Sequence, residues 1–569
     1  MTKVFLFVAA LFFVVASNAG NLPESTFPKM VSVQLKDGDG SELGYSLIDE
    51  AGFGMIRKGI YWSTVEKKKG VYDFSFYNGT FSRAAQRGMT VIITLYSNNA
   101  LYGAGGTPGI TTEVGRQGFA KFAAAAVKHY QGMNVIFEIW NEPNLKAFWH
   151  TPSNSDAIAD EYTALVKAVV PAMRAADPNV YIVAGSISSL WSASFAWFDR
   201  CIQQGLLKTD IDGISVHPYG FNWPELSMSG GYAVIRKKLD DAGAKSLRIV
   251  NSEVGYDTAW IAKRQGFNEA ESLDVQGWML VRQQMVDLMS NIGISNWYEF
   301  REGTIWGVVD KEFDPRPAFD AAKTMTQQLN GYKFNKKLAT SSAFDYVLSF
   351  KNALGKEKLV VWTTGDNAMP ALHRRPTPHD LVIPVSGTGT VGVVNVFGGK
   401  GNISAASGKL KVFVEGGPKY LDLSKLVATA PTPTPSPTPT TGLKNVAQGK
   451  VVTVSSGSGA AKLVDGNVVS NTSRWMSDST KPYPQNVVID LKGSFVISEI
   501  RYLQFAARTT DYKIEIWDGK VWKTAATVTG NTALDIKRPI AAMTGSKVRF
   551  TVLKGSSYQK VFELQVLGK

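Results

Sequence analysis

Residues 136–145 read IFEIWNEPNL, a buried-looking run that enters Trp140-Asn141-Glu142-Pro143-Asn144. It reads as a strand that ends on an amide and an acid, with Pro143 stopping it from continuing. The same texture recurs along the chain. Short apolar runs appear at MVSVQL (30–35), GMIRKGIYW (54–62), MTVIITLY (89–96), VYIVAGS (180–186), IDGISVHPY (211–219), SLRIVNSEV (246–254) and GISNWYEF (293–300). Between them lie stretches with apolar residues at helical spacing, such as GRQGFAKFAAAAVKHYQG (115–132) and DEYTALVKAVVPAMRAADP (160–178).

Eight strand-then-helix units over about 300 residues are what a closed (β/α)8 TIM barrel requires. A doubly wound open sheet is disfavoured by the count of eight and by the absence of a Gly-rich nucleotide loop after the first strand. The texture changes near Tyr332. Alternating strands such as DYVLSFKN, KLVVWTTG and KLKVFVEG, separated by Gly, Asn and Pro turns, predict an adjoining antiparallel β-sandwich. ATAPTPTPSPTPTTG (428–442) cannot form a core and reads as a semi-rigid polyproline spacer. Beyond it, NVVIDLKG, ISEIRYLQF, YKIEIWDG and KVRFTVL predict a second all-β domain. The fold class is thus multidomain, α/β plus β. The expected boundaries are a barrel over 20–331, a sandwich over 332–427, the linker, and a β-sandwich (jelly-roll) module over 443–569.

The first 19 residues, MTKVFLFVAALFFVVASNA, carry one Lys, a short apolar stretch and a small-x-small exit. They read as a secretory signal peptide, the stretch being shorter than the ~20 apolar residues of a membrane span. No later segment is long enough to span, so a secreted, extracellular or periplasmic protein is expected, as a monomer. Cys201 is the one cysteine, which rules out an intramolecular disulfide; its setting, FAWFDRCIQQGL, predicts a buried helix thiol. Net charge is +13, and residues 443–569 hold 18 Lys/Arg against 9 Asp/Glu. A basic exported module points to anionic or cell-surface glycans; no nucleic-acid motif accompanies the charge.

Barrel enzymes place their chemistry at the C-terminal ends of strands. Strand four ends on Asn141-Glu142 and strand seven, RIVNSEVGY, on Ser252-Glu253. Two carboxyls near a barrel axis suit glycoside hydrolysis, in which one donates a proton to the leaving oxygen and the other stabilises or attacks the anomeric carbon. Burial and mutual repulsion are expected to raise one pKa and leave the other acid ionised. His-Glu-x-x-His and Gly-x-Ser-x-Gly motifs are both lacking.

Trp140-Asn141-Glu142-Pro143-Asn144, with the strand ending Glu253-Val254-Gly255-Tyr256, resembles clan A of the retaining glycoside hydrolases. Within the clan the chain is most similar to family 39 and its relatives, with family 5 next, over about residues 30–427. The resemblance implies that Glu142 is the general acid/base, Glu253 the nucleophile and Asn141 a ligand of the sugar 2-hydroxyl. It implies Arg57, at the end of strand two, beside the nucleophile, and His217 and Tyr219 near the catalytic pair. Trp297 would be an aromatic floor under the sugar, with Trp149 and Trp62 as weaker platforms. Tyr96-Ser97-Asn98 after strand three, and strand one, depart from the clan's pattern, which bears on the sugar rather than the reaction. No catalytic cofactor is implied. The substrate implied is a polysaccharide, attacked endo for preference; exo-glycosidase, β-xylosidase and transglycosylase action share every catalytic residue. A non-catalytic glycan-binding surface protein is disfavoured by the presence of both carboxylates.

Leu463-Val464-Asp465-Gly466-Asn467, Arg474-Trp475 and the closing FELQVLGK resemble the F5/8 type C (discoidin-like) sandwich, the group that includes carbohydrate-binding module family 32. That resemblance covers about 443–569. It implies a structural calcium ion with Asp465 and Glu563 among its ligands, oxygen donors being suited to calcium.

Overall fold

The computed structural model describes residues 27–103, 108–150, 152–220, 223–303, 305–365, 376–386, 388–424, 426–428, 443–466, 474–504, 509–531, 535–555 and 558–569. The 1–19 leader, Asn467 and all but the first residue of the Pro/Thr stretch lie outside them. Among the described residues no helix is long and apolar enough to cross a membrane.

Eight parallel strands close on themselves: β1 (Val31–Gln34), β2 (Met55–Tyr61), β3 (Thr90–Tyr96), β4 (Val135–Ile139), β5 (Tyr181–Ser188), β6 (Gly213–His217), β7 (Arg248–Val254) and β8 (Ser295–Trp297). Closure comes from β1 on β8, with Val33 opposite Trp297. Helices of 10 to 21 residues, such as Glu42–Ala51 and Asp156–Ala176, alternate with the strands. Several carry the caps that their sequences supply: Ser41, Thr112, Ser155 and Asn268 each accept a main-chain N–H of the first turn.

Inside the ring the two-residue period of the strands sorts chemistry by height. Met55, Ile92, Ile136, Val183, Val250 and Ile294 form a separate apolar floor. Two residues further along their strands, on the same face, stand Arg57, Thr94, Glu138 and Ser252. A dry floor thus supports a polar layer, and the polar layer supports the barrel mouth.

Tyr332–Lys337 opens a nine-stranded antiparallel sheet that runs to Val427–Ala428 and curls over a core including Val347, Leu359, Leu381, Leu410 and Leu421. Its other face shares the barrel's core through Leu348, Phe350, Val360 and Trp362. The seam is clamped by a fully buried pair. Arg282 donates twice to Glu225 at 2.7 Å, and Trp362 Nε1 donates to Glu225 at 2.7 Å. The Arg282 guanidinium lies 4.4 Å from the Trp223 ring centre, on the segment that follows β6. The C-terminal residues form an eight-stranded sheet with its own core, including Leu463, Trp475, Ile500, Phe550 and Leu564. Cys201 is buried and free.

One buried acid sets a pH dependence. Asp287, on the helix Glu269–Met289, accepts from Tyr232 Oη at 2.6 Å and Asn251 Nδ2 at 2.9 Å. Burial pushes its carboxyl from 3.8 up to about 7, against the opposing hydrogen bonds. The folded state therefore holds the proton more tightly than the unfolded chain, and stability falls as pH rises from about 4 to 7. At 1.36 kcal/mol per unit the cost above pH 7 is on the order of 4 kcal/mol. Asp287→Asn is expected to raise the melting temperature more at pH 8 than at pH 5, as followed by thermal unfolding.

Candidate active site

β4 stops at Ile139, ahead of the proline. Trp140 takes φ 71° and Glu142 φ 44°, both left-handed and both costly for a side chain with a Cβ. This break, rather than Pro143, ends the strand. It is held by Asn144, whose Nδ2 donates to the Ser188 carbonyl at 3.1 Å and whose Oδ1 accepts from Ser188 N–H at 2.9 Å. The Glu142 N–H meets Ser186 Oγ at 3.3 Å. Ser186 itself sits in a bulge of β5, with Gly185 at φ 110° and Ser186 at φ 44°.

Arg57 organises the polar layer. It is the third residue of β2, not its last, because β2 runs on to Tyr61 in register with β3. Its guanidinium donates to Glu253 Oε2 at 2.6 Å, Glu138 Oε2 at 2.6 and 2.9 Å, Gln34 Oε1 at 2.9 Å and Asn141 Oδ1 at 2.9 Å. Burial pushes the Glu138 carboxyl up, but Arg57, then His217, bring it down to about 2. Glu138 therefore stays ionised, as does Arg57, which its carboxylates hold above its ordinary value despite burial. Asn141 is thereby fixed by a donor on its carbonyl, leaving its amide N–H groups for another partner.

Glu253 is held from both sides, by Arg57 on Oε2 and by Tyr219 Oη on Oε1 at 2.9 Å. Burial, then the charges of Glu253 and Glu142, push the Tyr219 hydroxyl well above its usual value, so it remains a donor. Across the mouth, His217 Nδ1 lies 2.9 Å from Glu142 Oε1 and 4.0 Å from Glu253 Oε1, while Nε2 lies 3.0 Å from Ser186 Oγ. Nε2 shares its hydrogen bond with Ser186 Oγ, which also faces the Glu142 N–H. A carboxylate oxygen can only accept, so an imidazole proton stands on Nδ1, facing Glu142. One ligand atom each of Glu142, His217 and Glu253 lie within 4.8 Å of one another. That constellation has the residue types of a metal site, but both Glu253 oxygens already accept from Arg57 and Tyr219, so a cation there would have to compete with the guanidinium.

Trp297, Trp149 and Trp62 correct an expectation. All three are 0 % exposed. Trp297 packs along Tyr256 with ring centres 6.4 Å apart, Trp149 donates Nε1 to Glu161 at 2.9 Å, and Trp62 donates to Glu66. None offers a face to a sugar. Tyr219, which bonds Glu253, lines a cleft of about 180 Å³ together with the partly exposed rings Trp191, Trp260 and Trp306. Glu138, Gln34 and Ser186 were not anticipated from sequence. Neither was the Lys36–Glu299 pair at 2.8 Å beside Tyr298, in which burial pushes the Glu299 carboxyl up to about 7 against the pull of Lys36. Glu138 did leave a signal: it falls in phase with Ile136, two residues back on an apolar strand.

Residues 41–297 match the family model of cellulase, glycosyl hydrolase family 5. The barrel is a glycoside hydrolase domain. Residues 462–550 match the F5/F8 type C model described as a NedA-like, galactose-binding domain. A β-xylosidase of Geobacillus stearothermophilus is 32% identical over 87 residues, 15% of this chain and 15% of that protein's length. Among solved structures, a family 39 glycoside hydrolase from the gut symbiont Bacteroides cellulosilyticus superposes with TM-score 0.58 at 22% identity, covering 71% of this chain and 81% of that one. A monomeric β-xylosidase from Caulobacter crescentus gives TM-score 0.50 at 14% identity, over 72% and 99%. The hydrolase barrel with its adjoining sheet thus has the fold of family 39 enzymes, while its sequence matches the family 5 model.

In the C-terminal module, Glu563 is fully buried and receives the Gly466 N–H on both oxygens at 3.3 Å. Burial pushes its carboxyl up to about 7 against the pull of the Gly466 N–H; the charge of Asp465 adds to the rise and Arg501 opposes it. Two neighbouring carboxylates, one deeply buried, are the donor types that suit a hard divalent cation.

Proposed function

We propose that the chain is a secreted retaining glycoside hydrolase that cleaves a polysaccharide by double displacement. The observation that carries this is the approach of Glu142 and Glu253 to within 4.8 Å at their nearest oxygens, with Glu253 gripped by Arg57 and Tyr219. Retaining enzymes keep their carboxyls ~5–5.5 Å apart, whereas inverting ones need ~6.5–9.5 Å to admit a water. In the first step a Glu253 oxygen attacks the anomeric carbon as Glu142 gives its proton to the departing oxygen. This forms a glycosyl ester on Glu253. In the second step Glu142 takes a proton from water, which displaces Glu253 and restores both acids. His217 Nδ1–H occupies Glu142 Oε1, which leaves Oε2 for the travelling proton. Asn141, its carbonyl held by Arg57, has N–H groups for the sugar 2-hydroxyl, a bond that strengthens as charge develops at the anomeric centre.

Endo action is the finer reading, because a tethered binding module raises the local concentration of the barrel on a polymer. NMR of the first product released from a glycan panel tests the mechanism: the anomeric configuration is expected to be retained, and inversion would sink the double displacement. Asp465 and Glu563 are proposed to hold calcium in the module, where the ion would neutralise two adjacent carboxylates. Adding EDTA to the full chain is expected to lower the melting transition of the module by the ~3 kcal/mol of a site 100-fold saturated. An unchanged transition in calorimetry would remove the ion.

A further inference from the structure

The cleft beside Glu253 is built from the ends of four strands and the segments after them. Ser189 and Trp191 follow β5, Tyr219 and Gly220 follow β6, Gly255, Tyr256, Asp257 and Trp260 follow β7, and Trp306 follows β8. It adjoins the catalytic site through Tyr219, which lines it and also bonds Glu253. Trp191 is 47 % exposed, unusual for so large an apolar ring. Trp306 stands perpendicular to both Tyr219 and Tyr298, with ring centres 6.3 and 5.5 Å apart, so these rings brace it in place. Gly255 makes room for this arrangement: a Cβ there would lie 2.0 Å from the Tyr298 carbonyl oxygen and 3.3 Å from Trp306 Cε3.

The polar content of the cleft is as selective as its rings. Among the described residues no Lys or Arg lines it, and the one carboxylate is Asp257. One Asp257 oxygen caps the helix Thr258–Gln265 by accepting the Trp260 N–H at 2.6 Å; its second oxygen is free to accept from a ligand hydroxyl. Aromatic faces suit the C–H face of a pyranose, and an acceptor at the rim suits its hydroxyls. The same carboxylate repels a sugar that bears an acid. On the hydrolase reading, on which this rests, we infer that the cleft is a saccharide subsite for an uncharged pyranose, next to the ring whose linkage is cleaved. The barrel therefore reads at least two consecutive sugars and prefers neutral chains, whatever the basic C-terminal module holds.

The test is chain-length kinetics of the full protein on neutral oligosaccharides of two to six xylose, glucose or mannose units, with oligogalacturonates beside them. The parent is expected to gain in kcat/KM with each added sugar until the cleft is filled, and to prefer the neutral series. In Trp191→Ala and Trp306→Ala that gain is expected to shrink about tenfold, through KM more than kcat. Trp191 is about half exposed, and thermal melts of both variants check that the fold is kept. Asp257→Asn is expected to narrow the gap between neutral and acidic chains. An active parent whose variants show its own chain-length profile, or one that favours oligogalacturonates, overturns the subsite alone. A parent inactive on every glycan overturns the hydrolase reading and the subsite with it.

Discussion

Replacing Glu253 by Gln is expected to abolish turnover, with kcat falling on the order of 10⁴-fold or more, because the group that bonds to the anomeric carbon is gone. The fold should survive. Gln keeps the shape of Glu, and Arg57 retains Glu138, Gln34 and Asn141 as partners. Unchanged thermal unfolding together with lost activity is the expected pair of results. More than a few per cent of residual activity would show that Glu253 is not the nucleophile.

Arg57→Ala is the second large effect, and it strikes stability and activity together. Glu138 is fully buried, and the Arg57 guanidinium that donates to it is foremost among the groups that keep it charged. Removing one member of a buried pair typically costs ~3–5 kcal/mol, because the remaining charge has neither water nor partner. For a barrel of this size that corresponds to a fall of roughly 10 °C in melting temperature. Activity should drop at least 10²-fold, since Glu253 and Asn141 lose the same donor. The double change Arg57→Met with Glu138→Gln separates the two effects. It is expected to recover much of the stability, having no orphan charge, and none of the activity. Recovery of both would mean that Arg57 serves only to neutralise Glu138.

The barrel was legible because its evidence is local. Eight apolar runs alternate with amphipathic stretches, and each contains or overlaps a strand, the apolar limits differing by no more than three residues. Glu142 and Glu253 were legible for a related reason: in a barrel, the residue at a strand's C-terminal end faces the mouth whatever its neighbours are. Arg57 was named for its partner but set at the strand's end, since nothing in GMIRKG says how far pairing with β3 continues. The tryptophans were misread because a bulky ring near a strand end can pack inward or face the mouth. Only the surrounding rings decide: Trp297 lies against Tyr256, and Trp149 against Trp140 and Tyr162.

The alternation, the two acids at the ends of strands four and seven, and the Pro/Thr break before a second β-rich module can all be read from short stretches of chain. Those follow from periodicity and backbone chemistry, which act over a few residues. Which groups share a hydrogen-bond network is settled by the folded ring alone. Arg57, Glu138, Asn141 and Glu253 come from three strands, and Ser186 meets His217 and Glu142 from three strand ends through a bulge in β5. Barrel closure and stagger set those meetings, and they are properties of the whole ring that no single stretch encodes.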